Sequence, residues 1–121
     1  MSTIVVIEED TAMRTLICEW LEAAGYRVQG WSARALTAAA AGIDLVVVDL
    51  PNLPMQGAAT VQQVHANYPG ARVIGLSTQL SRTLAADSEL TRALGIGGLV
   101  TKPCTRDELL MMVVSRIGVA H

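Results

Sequence analysis

Long apolar runs are missing from this chain. The longest is six residues, Leu109 to Val114, far short of the ~20 needed to cross a bilayer. Cysteine is scarce: Cys18 and Cys104 make neither a metal-binding spacing nor a disulfide framework. His65 and His121 are the only histidines, so a zinc site has too few ligands. A charge excess of one sign is absent as well. Nine basic and eleven acidic side chains leave a net charge of −2, which argues against direct, sequence-independent binding to nucleic acid. The start, Met-Ser-Thr before a strand-like segment, lacks the basic flank and small-residue cleavage site of a secretory signal. The loops carry no glycine-rich phosphate cradle, which counts against a small nucleotide- or flavin-dependent enzyme. These absences lead to the expectation of a reduced, cytoplasmic protein with no membrane partner.

What is present is an alternation of strand and helix signals over 121 residues, one domain's worth. Ile4–Ile7 and Ile43–Val48 are almost continuously apolar and β-branched, as central parallel strands covered on both faces should be. Tyr26–Trp31 interleaves Arg27 and Gln29 with apolar residues and suits an exposed edge. Arg72–Leu76 and Gly98–Thr101 complete five strands. Between them the spacing of Met13, Leu16, Ile17, Trp20, Leu21 and Ala24 makes a helical stripe that Gly25 ends. An Ala-rich helix is predicted from Ser32 to Ala41, a loop from Asp49 to Gly57, and helices at Ala58–Tyr68 and Thr83–Leu94. Leu84 is out of phase in the last of these. Thr105 to Glu108 reads as a capping box opening a helix that runs to about Ile117.

Five βα units with short connections and right-handed crossovers give an α/β fold, a single doubly wound parallel sheet of order 2-1-3-4-5 flanked by five helices. In such a sheet the carboxyl ends of the strands share one rim. Glu8 and Glu9 follow the first strand, Asp49 closes the third, Ser77 the fourth and Lys102 the fifth. Acids, a hydroxyl and an ammonium brought together suit a divalent cation and a phosphoryl group.

These residues, with Met13-Arg14, with Met55 and Gly57 six and eight positions beyond Asp49, and with Gly95 seven before Lys102-Pro103, carry a family resemblance. From about residue 3 to 118 the chain resembles a response-regulator receiver domain of two-component signalling. The resemblance implies that Asp49 accepts a phosphoryl group from a histidine kinase or phosphotransfer protein, by carboxylate attack. It implies Mg2+ held by Glu9, Asp49 and the Pro51 carbonyl, with Glu8 acting through a water. Lys102 and Ser77 would each meet a phosphoryl oxygen, and a cis Lys102–Pro103 bond would aim the lysine. Such a domain is no enzyme on other molecules; at most it catalyses its own phosphorylation and dephosphorylation.

The chain departs from the family's pattern in several places. Its acid pair is Glu-Glu, and an extra methylene moves each carboxylate by roughly 1.3–1.5 Å, which weakens Mg2+. Leu53 stands where the family has proline, with Pro54 one place later. Thr78 replaces a smaller residue and would narrow access to the phosphoryl, and Leu99 replaces the switch aromatic. Two functions follow: a working phosphorylation switch, or a phosphorylation-independent pseudo-receiver serving as an interaction module. No output domain is expected in residues 1–121, so a downstream protein or a separate output domain would read the state. Because Leu109 to Val114 visit every side of the last helix, an apolar face is left for a homodimer through the last two helices.

Overall fold

A computed structural model describes residues 2–32 and 42–120. Five parallel strands, β1 (Thr3–Ile7), β2 (Arg27–Trp31), β3 (Leu45–Asp49), β4 (Arg72–Ser77) and β5 (Gly98–Thr101), form one sheet of order β2-β1-β3-β4-β5. That is the doubly wound order expected from the sequence. The strand side chains alternate between two cores because successive Cβ atoms point to opposite faces. Val5, Ile7, Val46, Val48, Val73 and Leu99 pack on one face with Val61, Val64 and Tyr68 of the third connection. Ile4, Val6, Leu45, Val47, Ile74 and Val100 pack on the other with Ile17, Leu21, Leu109 and Val113. β2 has no buried residue, as an edge strand should not.

Four helices lie among the described residues: α1 (Thr11–Ala23), α2 (Leu53–Asn67), α3 (Glu89–Leu94) and α4 (Arg106–Ile117). The helix predicted from Ser32 to Ala41 falls outside the described residues. Asp10 opens α1 by accepting the Met13 amide at 2.9 Å, and Gly25, at φ 101°, lets the chain leave it. The capping box of α4 is present, with Glu108 N–H on Thr105 Oγ1 at 3.1 Å and Thr105 N–H on Glu108 Oε1 at 3.2 Å.

Two elements differ from expectation. The helix placed at Ala58 begins at Leu53, so Pro54 and Gly57 belong to its first turns and not to a loop. Proline is tolerated there because first-turn N–H groups have no helical acceptor to lose. Gly57 is buried, and a Cβ on it would lie 3.1 Å from Leu53 Cδ1 and in ordinary contact with Leu94 Cδ2 at 3.6 Å, so the glycine makes room for Leu53. The helix predicted over Thr83–Leu94 is confined to Glu89–Leu94, capped by Ser88. Leu84 instead pairs antiparallel with Leu99, exchanging N–H to O bonds of 2.7 and 2.9 Å. Its poor helical phase has this cause: it extends the sheet beside β5.

Gly75, in the middle of β4, is the tightest point of the core near the rim. A Cβ there would lie 2.7 Å from both Leu50 Cδ1 and Leu99 Cδ2, two leucines with almost no exposed surface. Gly75→Val is expected to lower stability by about 1–3 kcal/mol through overpacking, read as a lower urea midpoint with an unchanged slope.

Candidate functional site

Each functional side chain reaches the rim because an apolar strand ends just before it. β1 and β3 are paired from Ile4–Leu45 to Ile7–Val48, and β3, β4 and β5 are aligned so that Asp49 lies beside Leu76 and Ser77 beside Thr101. Residues 94 positions apart thereby meet: Lys102 Nζ donates to Glu8 Oε1 at 2.5 Å and to Asp49 Oδ1 at 3.1 Å. The Lys102–Pro103 peptide is cis. Glu8 is 1% exposed, and the side chains of Asp49 and Lys102 are 13% and 16% exposed.

The backbone around Glu8 is held from two sides. Its amide donates to the Trp31 carbonyl at 3.0 Å, and its own carbonyl accepts Arg14 Nη1 at 2.6 Å. Burial pushes the Glu8 carboxyl above its ordinary value of 4.5, and the neighbouring Asp49 carboxylate adds to the rise, although the Lys102 hydrogen bond opposes it. For Lys102, burial pulls the other way. Its hydrogen bonds and charge attraction with Glu8 and Asp49 together outweigh that, and its pKa stands above 10.5.

Ser77 is fully buried, and its Oγ accepts the Gln79 amide at 3.0 Å. The Lys102 amide donates to the Ser77 carbonyl at 2.9 Å, which ties the ends of β4 and β5 together. The structure therefore brings Glu8, Asp49 and Lys102 into contact, with Ser77 at the end of the strand beside Asp49. Glu9 lies exposed on the turn into α1, and Pro51 and Thr78 are exposed on neighbouring loops. Of the two glutamates, the one paired with Lys102 is thus Glu8. Asp10 caps α1, its side chain turned to the Met13 amide. Leu99, in the place of an aromatic, is wholly buried. His65 is an exposed residue of α2 whose Nε2 lies 3.0 Å from the Gly95 carbonyl. Among the described residues no group of three or more His, Cys, Asp or Glu side chains is placed to hold a metal ion.

Two contacts escaped the sequence. Arg14 fixes the Glu8 carbonyl, and only its position one turn into α1 hints at this. Gln79 touches both the Ser77 hydroxyl and the start of α2, and nothing local in the sequence signals it.

A doubly wound parallel sheet of order β2-β1-β3-β4-β5 places the chain in the flavodoxin-like class of α/β domains, and here acids, a hydroxyl and a lysine stand at the ends of its strands. Residues 4–114 match the response regulator receiver domain family, and the chain belongs to that family, the phosphoacceptor switches of two-component signalling. None of the curated proteins matches it. Among solved structures, the chemotaxis protein CheY4 of Vibrio cholerae is similar with a TM-score of 0.71 at 22% identity, over 96% of this chain and 98% of that one. A putative pilus assembly protein of Burkholderia thailandensis is similar with a TM-score of 0.75 at 19% identity, over 97% and 98%. A response regulator of Burkholderia pseudomallei, described with a phosphorylated aspartic acid, a calcium ion and citrate, is similar with a TM-score of 0.68 at 19% identity, over 93% of this chain and 66% of that one.

Because the raised pKa of Glu8 means that ionising it works against the fold, stability from this group is full below pH 4.5 and declines as pH rises through the folded value. Asp49→Asn removes one of two carboxylates that share a single ammonium. It is expected to stabilise the protein by about 1 kcal/mol near neutral pH, as substitutions at strained functional sites commonly do. The gain should shrink as acid protonates Glu8 in the wild type and removes the repulsion between the two carboxylates, and urea melts at two pH values read it.

Proposed function

We propose that Asp49 is the phosphoacceptor of this receiver domain and that Lys102 and Ser77 receive the oxygens of the transferred phosphoryl group. The observation that carries this reading is the bond from Lys102 Nζ to Asp49 Oδ1 at 3.1 Å, which supplies a cation at the carboxylate where negative charge would accumulate. Phosphoryl transfer asks a protein chiefly for position and charge neutralisation, and a half-buried ammonium fits both needs.

Receiver domains bind a divalent cation. The oxygens on this rim fit such an ion in kind: hard carboxylates and a carbonyl, the donors that magnesium takes while keeping several waters. Glu8 is already committed, with Oε1 on Lys102 and Oε2 accepting the Asp10 amide at 3.4 Å. Glu9, Asp49 and the Pro51 carbonyl are therefore the residues to hold Mg2+, with Glu8 reaching it through a water. When bound, the cation would neutralise phosphoryl charge. Lys102 competes with the cation for Asp49, so affinity should be low. The chain's own part is to present the Asp49 oxygen as nucleophile while Arg14 and the Trp31 carbonyl keep the Glu8 backbone in place.

The donors are a histidine kinase or phosphotransfer protein, and the readers are output domains or separate target proteins, as for the family at large. No helix of the described residues is long and apolar enough to cross a membrane, and a cytoplasmic setting fits this partner set. Self-association through α3 and α4 is supported by Met111 and Val114, which are 74% and 39% exposed on α4.

Incubation with phosphoramidate or acetyl phosphate and magnesium should add one phosphoryl group, seen by intact mass. Asp49→Ala and chelation of the cation should each abolish it. A wild-type protein that gains nothing from small donors or from a cognate kinase would sink this reading. Sedimentation velocity should show a dimer at high concentration that Met111→Lys shifts toward monomer; an unshifted profile counts against the α4 face.

A further inference from the structure

The first turn of a helix exposes N–H groups that the helix itself cannot satisfy. At the start of α2 the usual local solution is missing: the Asn52 side chain makes no capping bond, and Pro54 has no N–H to offer or lose. The Leu53 amide is instead satisfied from 26 residues away, donating to Gln79 Oε1 at 2.6 Å. The same Gln79 donates its own backbone N–H to Ser77 Oγ at 3.0 Å. One residue thus spans from the buried hydroxyl on the rim to the beginning of a helix. The segment between Asp49 and Leu53 is pinned at its other end by the Leu50 amide on the Leu76 carbonyl, at 2.8 Å.

A serine hydroxyl has one proton and two lone pairs. With Gln79 N–H on a lone pair, the proton of Ser77 is left to donate, which is what a phosphoryl oxygen requires. Resting on the reading of Asp49 as phosphoacceptor, we propose that Gln79 is a positioning residue that orients the Ser77 hydroxyl and relays its displacement to the first turn of α2. Ser77 and Gln79 are two positions apart, so a shift of Ser77 toward a phosphoryl group drags the Gln79 backbone or breaks its bond. In either case the side-chain carbonyl moves relative to the Leu53 amide. Met55, on that same turn and 80% exposed, makes the change readable at the surface. The start of α2 becomes a state-dependent face of the domain.

Amide hydrogen exchange of the full chain, followed by NMR with intact mass on the same samples, tests this. Gln79 is exposed, so its replacement leaves the core intact. In the resting protein, Gln79→Ala should speed Leu53 exchange by about ten-fold, the scale of one lost hydrogen bond. Gln79→Glu, which keeps a side-chain oxygen, should retain wild-type protection. In samples shown by mass to carry one phosphoryl group, phosphorylation with phosphoramidate and magnesium should change Leu53 exchange several-fold in the wild type and leave it unchanged in Gln79→Ala. Equal Leu53 protection in resting wild type and Gln79→Ala overturns the clamp. A phosphorylated wild type with resting exchange at Leu53 overturns the relay alone. A wild-type sample with no mass gain defeats the phosphoacceptor reading and the relay with it, while the resting comparison still decides the clamp.

Discussion

One ammonium shared between two carboxylates organises the carboxyl rim of this domain. Lys102 stands at 2.5 Å from Glu8 and 3.1 Å from Asp49, and all three side chains are largely removed from water. Two negative charges and one positive charge leave the cluster short of a cation, so it works against stability where it is driest, at Glu8. Removing the lysine from such a group leaves buried charge uncompensated, whereas removing an acid relieves it. The same shortage fits the function proposed above, in which the rim attracts a divalent ion and accepts a phosphoryl group. A core of leucines in its place would be more stable and would do nothing.

The cluster exists only because the sheet is wound as it is. β1 and β3 are central and covered on both faces, so their ends are held by the two cores, and β4 and β5 bring Ser77 and Lys102 alongside in register. Gly75 belongs to the same construction, since Leu50 just after Asp49 and Leu99 just before Lys102 both close on it. The packing under the rim and the chemistry on it are therefore coupled through residues that carry no charge at all. Gln79 extends that coupling sideways, from Ser77 to the helix that follows Asp49.

The strands and their order were readable because each is a short apolar run, and the polarity of β2 marks it as an edge. The start of α2 was not. Proline and glycine between Asp49 and Gly57 suggest a loop by local rules, yet proline in a first turn costs nothing and Gly57 leaves room for the Leu53 side chain. α3 was drawn too long for a different reason. The apolar residues between Thr83 and Leu94 suggest one helix although Leu84 is out of phase in it, and only the open edge of β5 makes Leu84 a bridge partner of Leu99.

For the site, residue types and spacing pointed to Glu8, Glu9, Asp49, Ser77 and Lys102 at the strand ends, and Glu8, Asp49 and Lys102 meet because strand ends in a parallel sheet share an edge whatever the loops do. Which glutamate faces inward, how Lys102 divides itself between two acids, and what Gln79 and Arg14 hold were left to the folded chain. These are contacts between residues up to 94 positions apart, set by strand register and by which polar groups burial leaves in need of a partner. Local composition carries no trace of either.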